Sequence, residues 1–184
     1  MPTIFSHAIV ASAAGQWWRR RLPPSFWTWT VVCSMLPDID VIGFSFGIQY
    51  GDMFGHRGLT HSLCFALLAG GLAAWKIPSP ESQAPNPNRL TMFLWFTAVT
   101  ASHGVLDALT NGGRGIAFFA PFSNHRYFFP WRPIQVSPIG AGFFSSRGLN
   151  VLASEARWIW VPSAIIALSA RRFCRPTSRS ASTS

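Results

Sequence analysis

The sequence predicts an all-α fold, a polytopic membrane bundle of about five apolar helices with a long interfacial loop. Three observations predict it. Of the 184 residues, 49% are hydrophobic and only 11% are charged, against about 25% in ordinary soluble domains. Apolar stretches recur along the chain, most of them near the ~17–25 residues needed to cross hydrocarbon. Nine Trp and sixteen Phe supply the aromatics that gather where membrane meets water. The same runs would also suit a soluble bundle with very apolar helices.

The first stretch, residues 4–18, is short and is closed by Arg19, Arg20 and Arg21. The second, 26–46, contains Pro37, which removes a helical hydrogen bond and kinks or ends a helix. The third, 61–77, leads through Lys76 into a Pro-rich polar connection at 79–88. The fourth covers 90–110. Residues 111–150 then form a loop rich in Gly, Pro and aromatics that carries no acid. A loop of that length is functional or disordered, and its aromatic content favours a cap lying at the interface. The fifth stretch, 151–170, ends at Arg171 and Arg172. The reading is one membrane-embedded domain, 1–174, followed by a low-complexity polar tail, 175–184, expected to be disordered.

Charge orients this chain. The formal net charge is +9. With five spans, Arg19–Arg21, Lys76, Arg89, Arg171, Arg172, Arg175 and Arg179 fall on one side, where the only acid is Glu81. The positive-inside rule makes that side cytoplasmic. The bases lie between and after apolar runs, which suits a membrane surface better than nucleic acid, and no nucleic-acid recognition module is present. Cys33, Cys64 and Cys174 lack metal-site spacing, and Cys33 and Cys64, which lie in apolar runs, read as packing residues. The first apolar stretch has no basic segment before it, unlike a secretory signal.

The polar residues inside these stretches carry the chemistry. A charge in an apolar segment costs several kcal/mol unless paired or ligated. His103 and Asp107 are spaced i, i+4, on one helix face, and imidazole nitrogen with carboxylate oxygen suits zinc, iron or manganese. Asp38 and Asp40 would point to nearly opposite faces of a regular helix. Either an irregular backbone after Pro37 lets both ligate, or one ligates and the other orients a histidine. Turn or capping acids are the plainer alternative. His56 and His61 are five apart, which suggests a loop ending near Gly58 and a helix entered near Thr60. Arg57 between them suits an anion or developing negative charge; a structural bridge to Asp52 or to a site carboxylate is equally open. His7 is a ligand or a packed histidine. Glu155 is a ligand, a general base or an arginine's partner, and His125 is a loop residue. Drawn from Arg and Lys alone, the topology sets His7, Asp38, Asp40, His56, His61, His103, Asp107 and Glu155 toward the same outer side.

The stretches MPTIFSHAIV, MLPDID, FGHRGLTHS, SHGVLDALTNGG and PFSNHRYFFPW resemble the YdjM/YbcI family of bacterial inner-membrane proteins, a domain of unknown function described as metal-dependent hydrolases. The resemblance runs from about residue 1 to 170 and is strongest toward the YbcI branch. It implies an inner-membrane protein, multi-pass, with these His and Asp positions as its polar set. More distantly, the helical His-x-x-x-Asp pair is similar to that of soluble zinc-dependent phospholipases C and nucleases, from which this chain departs by its membrane-length runs.

The expected function is hydrolysis of a phosphoester or other ester near the outer face. The cofactor would be a divalent ion, zinc before manganese or iron, and the substrate a small molecule or a membrane lipid. His7, Asp38, Asp40, His56, His61, His103 and Asp107 form the ligand pool; Asp38, Asp40, Arg57 and Glu155 are candidates for catalysis. A structural metal site would instead be closed by protein ligands. A transporter would need polar groups from face to face, and the inner halves of these stretches are almost wholly apolar.

Overall fold

The computed structural model describes residues 1–18, 22–77 and 88–173. The arginines at 19–21, most of the 79–88 connection and the 175–184 tail lie outside the described residues. Within them the chain is all-helical, with two isolated bridges, Thr110 to Ile134 and Ile116 to Tyr127, in place of any sheet.

Helix α1 is Ile4–Gly15. Helix α2, Pro24–Met35, starts with Pro24 in its first turn, where the missing N–H costs nothing. Pro37 then ends the α-helical hydrogen bonding, and the chain tightens into a 3-10 stretch, Leu36–Phe46, closed by Gly47 at φ 78°. Helix α3, Leu63–Lys76, is capped by Ser62, whose hydroxyl accepts from the Phe65 N–H. Helix α4, Arg89–Ala108, is capped in the same way by Asn88 on Thr91. Helix α5, Ser146–Glu155, runs through a π-helical turn, Ala156–Trp160, into α6, Val161–Phe173.

Two continuous helical segments are long and apolar enough to cross a membrane: Pro24–Phe46, of 23 residues, and Ser146–Phe173, of 28. Helices α1 and α3 are apolar but have only 12 and 14 residues, ~18 and ~21 Å of rise. Helix α4 has 20 residues, but Thr91, Thr97, Thr100, Ser102, His103 and Asp107 lower its hydropathy. Five helical segments match the five expected stretches; five membrane-length ones do not. The polar residues that build the site shorten or dilute the other three.

The bundle is chemically divided along its length. Toward the ends of α1 and α3 and the starts of α2 and α4 lies an apolar core of Ala11, Phe26, Ala73, Ile77, Met92 and Phe96. Trp18 and Trp27 pack edge-on and Trp95 stacks against Phe26 there, with ring centroids 5.5–5.8 Å away. The opposite end gathers His7, Asp38, Asp40, His56, His61, His103 and Asp107, all buried. The loop covers that end and is ordered by backbone bonds to it. Ala117 donates to the Arg57 carbonyl, Phe129 to Ala108, and Ser137 to Met1; Phe118 accepts from Leu63. Ile116, Ala117, Ala120 and Ile134 anchor the loop as buried apolar side chains.

Close approach of α3 and α4 depends on Gly70. A Cβ there would lie 2.2 Å from Thr97 Oγ1 and 2.7 Å from the Thr97 backbone nitrogen. Gly70→Val should therefore force the two helices apart at a cost of about 1–3 kcal/mol, read as a lower unfolding temperature of the detergent-solubilised protein. Gly71, where the nearest atoms lie 3.9 Å away, should accept Ala with little change.

Candidate metal centre

Four separate segments deliver the polar side chains. His7 comes from the first turn of α1, Asp38 and Asp40 from the 3-10 stretch, His56 and His61 from the turn before α3, and His103 and Asp107 from the end of α4. The tighter winding after Pro37 buries both aspartates while Ile39 between them is 54% exposed. A regular helix would have sent one of the two acids away from the other's partners.

Hydrogen bonds then fix which atom of each histidine faces inward. His103 Nδ1 lies 2.7 Å from the Ser34 carbonyl. A carbonyl only accepts, so Nδ1 carries the proton and Nε2 presents its lone pair. That lone pair faces Asp38 Oδ1 at 3.2 Å. His61 Nδ1–H donates to the Thr60 hydroxyl oxygen at 3.1 Å, Thr60 donates in turn to Asp40 Oδ2, and Asp40 Oδ2 itself lies 3.2 Å from Nδ1. This turns His61 Nε2 toward Asp38 Oδ1 at 3.7 Å and Asp107 Oδ2 at 3.6 Å. His7 stacks on His103 with centroids 3.6 Å apart and brings Nε2 to 3.6 Å from Asp107 Oδ1.

Nitrogen and oxygen atoms thus crowd one buried space, and several of them lack a hydrogen-bond partner. His7 Nε2, His61 Nε2, Asp38 Oδ2 and both Asp107 oxygens are buried without a hydrogen-bond partner among the described residues. Such groups are rare in native interiors and costly unless something positive sits between them. One ligand atom from each of Asp38, His61, His103 and Asp107 lies within 4.8 Å of the others. The group could hold a metal ion: its donors are nitrogen and oxygen, and its histidine tautomers are already set by outer partners.

Asp40 and His56 play a different part. Asp40, His56 and His61 meet the same distance condition, but Asp40 is already saturated. His56 Nδ1–H donates to Oδ1 at 2.7 Å, while the Thr60 hydroxyl at 2.6 Å and the Arg57 N–H at 3.2 Å donate to Oδ2. Asp38 therefore falls in the four-residue group that could hold an ion, while Asp40 accepts from His56, Thr60 and Arg57. His56 is brought to Asp40 rather than into the Asp38 group.

Arg57 is fully buried and sits at φ 66°, a left-handed conformation costly for a side chain of its size. Its Nε lies 3.0 Å from Asp107 Oδ2, Nη1 donates to the Gly112 carbonyl and Nη2 to the Thr110 hydroxyl. It bridges a site carboxylate, as one sequence reading held, and not Asp52. Gly113, at φ 89°, leaves it room: a Cβ there would lie 2.4 Å from Nη1.

Glu155 lies apart from the cluster. Its carboxylate accepts from the Thr3 N–H and hydroxyl and from the Ser6 hydroxyl, so it holds the start of α1 to the end of α5. Arg157 is not its partner; that guanidinium rests over Trp158. His125 stays in the loop against Tyr127. The supports that sequence reasoning did not find are Ser34, Thr60, Thr110 and Gly112. Two of these act through backbone carbonyls, which leave no trace in residue type. Thr60 stood inside the HRGLTH motif and was open to detection as the aspartate's donor.

A family model for the YdjM inner membrane protein matches residues 1–177. The chain belongs to the YdjM family. Inner membrane protein YbcI of Escherichia coli (strain K12) is 36% identical to this YdjM-family chain over 168 residues, covering 90% of this chain and 95% of that protein. No solved structure matches it. The family resemblance drawn from the motifs is thereby shown, over a stretch that includes all the described residues.

Arg57 should be more than a surface pairing. Arg57→Met should leave the Asp107 charge buried without its arginine and cost about 3–5 kcal/mol, measured by thermal unfolding in detergent. Arg57→Lys should recover little of that loss, because an ammonium lacks the fork that reaches Asp107, Thr110 and Gly112 together.

Proposed function

We propose that this protein is a metal-dependent hydrolase of the inner membrane, acting on a phosphoester or other ester near the outer face. The observation that carries the reading is the convergence of imidazole nitrogens and carboxylate oxygens from four separate segments on one buried space, several of them without a hydrogen-bond partner among the described residues. Asp38, His61, His103 and Asp107 would hold the ion, and His7 would add a fifth donor from above Asp107. Zinc is the best match to nitrogen and oxygen donors of this kind, ahead of manganese and iron.

A divalent ion there would act as a Lewis acid and bring the pKa of bound water toward ~7. The chain's own groups do the rest. Thr60, with Asp40 behind it, keeps the proton of His61 on Nδ1, and the Ser34 carbonyl does so for His103. Arg57 pairs with one oxygen of Asp107 and donates through Nη1 and Nη2 to Gly112 and Thr110, so it acts by positioning Asp107 more readily than by meeting substrate. Asp38 retains a free oxygen, Oδ2, and is the carboxylate placed to exchange a proton. Glu155, bound by three donors, sets α1 and through it His7.

The membrane reading is multi-pass, with the cluster toward the periplasmic side and the Arg-rich ends in the cytoplasm. Lipid or a small molecule is the substrate class, and nucleic acid is not expected. The apolar core across the other end of the bundle argues against an ion path through it. A structural metal site is the second reading, favoured by one observation: the four grouped residues are at most 5% exposed.

Three measurements test this. Purified protein should contain close to one divalent ion per chain, and His103→Ala should lose most of it; unchanged content would remove the centre. The ion should be released as pH falls below about 6, because histidines bind metal only when deprotonated; retention down to pH 4 would contradict imidazole ligation. A reporter fused within 111–150 should read periplasmic, and a cytoplasmic signal would reverse the orientation.

A further inference from the structure

On the far side of α1 from the histidines, α1 and α6 leave an open groove with a volume of about 270 Å³. Its walls are Ile9 and Ala13 from α1 and Ala164 and Ala167 from α6. Trp160 closes one end, held there by its indole N–H donating to Ser6 Oγ. Gln16 and Arg171 stand at the other end. The two helices run parallel, since Ser6 meets Trp160 at one end and Gln16 lines the groove with Arg171 at the other.

The groove has the shape and chemistry of one amphiphile. From Trp160 to Arg171 is eleven residues, ~16 Å of helix rise, or about half of the ~30 Å hydrocarbon core, the depth of one leaflet. The walls offer small apolar side chains, which leave space that a chain of methylenes can fill. Among the described residues, neither the Gln16 amide nor the Arg171 guanidinium has a hydrogen-bond or ion-pair partner. An exposed, unpaired guanidinium beside a side-chain amide, at the end of an apolar slot one leaflet deep, matches a phosphate headgroup.

We infer that this groove is a binding site for an anionic phospholipid of the leaflet at the Arg-rich end, with an acyl chain between α1 and α6 and the phosphate on Arg171 and Gln16. A second copy of the chain fits less well. Two-fold pairing at this face would bring Arg171 and Arg172 against the same residues of the partner, and no acid among the described residues lines the groove to offset them. The site is independent of the metal centre and uses none of its residues.

The test is native mass spectrometry of the full chain released from nanodiscs containing equal phosphatidylglycerol and phosphatidylcholine. The parent protein should retain phosphatidylglycerol at least fivefold over phosphatidylcholine. Arg171→Gln, an exposed change that leaves the fold intact, should reduce that preference about fivefold, the effect of one arginine near a charged headgroup. Ala167→Phe, which fills the slot, should lower retention of both lipids while helical circular dichroism stays the same. Equal retention of the two lipids by the parent, or an unchanged preference in Arg171→Gln, would overturn the inference. Disulfide dimers formed through Ala164→Cys and absent from the parent would overturn it in favour of a second copy.

Discussion

The burial of Asp107 is the constraint from which the rest of the polar end follows. A carboxylate with no exposure, set at the end of an apolar helix, is tolerable only if positive charge is brought to it. Arg57 is brought from the turn before α3, at the expense of a left-handed backbone, and is held in place by Thr110 and Gly112. His7 and His61 approach from two other directions. Each of those segments must arrive from a different helix, so satisfying one carboxylate registers α1, the turn before α3, α4 and the start of the loop against one another.

The arrangement is layered outward from there. An inner set of lone pairs faces a common space, and an outer set of donors and acceptors decides which lone pairs they are. The Thr60 hydroxyl, backed by Asp40, and the Ser34 carbonyl each take a histidine proton away from the centre. His56 and Thr60 in turn neutralise and orient Asp40. The outer oxygens of Asp40 and the outward Nδ1 of His103 are hydrogen-bonded, whereas His7 Nε2, His61 Nε2, Asp38 Oδ2 and both Asp107 oxygens are not, among the described residues. That asymmetry fits a site prepared for a cation better than a polar network whose purpose is to hold helices together, in which every member would be satisfied.

Much of this was legible in the chain. Pro37 announced the end of regular α-helix, and the 3-10 stretch after it is what lets Asp38 and Asp40 both turn inward. The i, i+4 spacing of His103 and Asp107 placed them on one face, and Gly58 with Thr60 marked the turn before α3. The number of membrane-length helices was harder to read. Counting His61, Ser62, His103 and Asp107 toward span length treats site residues as lipid-facing ones, whereas they cap a helix, enter a turn or face the bundle interior. The role of Arg57 stayed open between anion binding and bridging because residue type does not say which carboxylate a guanidinium will reach. The same holds for Glu155, whose partners Thr3 and Ser6 lie about 150 positions away in the chain.

The sequence by itself determined that the protein is helical and strongly apolar, that its acids and histidines are concentrated in a few short motifs, and that one end is rich in arginine. Those are properties of composition and of local period, and every residue carries them before folding. Only the tertiary structure decided which lone pair of each histidine faces the cluster, that Asp40 supports His61 and His56, and that α1 and α6 stand far enough apart to leave a groove. Each depends on a carbonyl, a carboxylate or a helix delivered from a distant part of the chain, and distance in space is not written in local pattern.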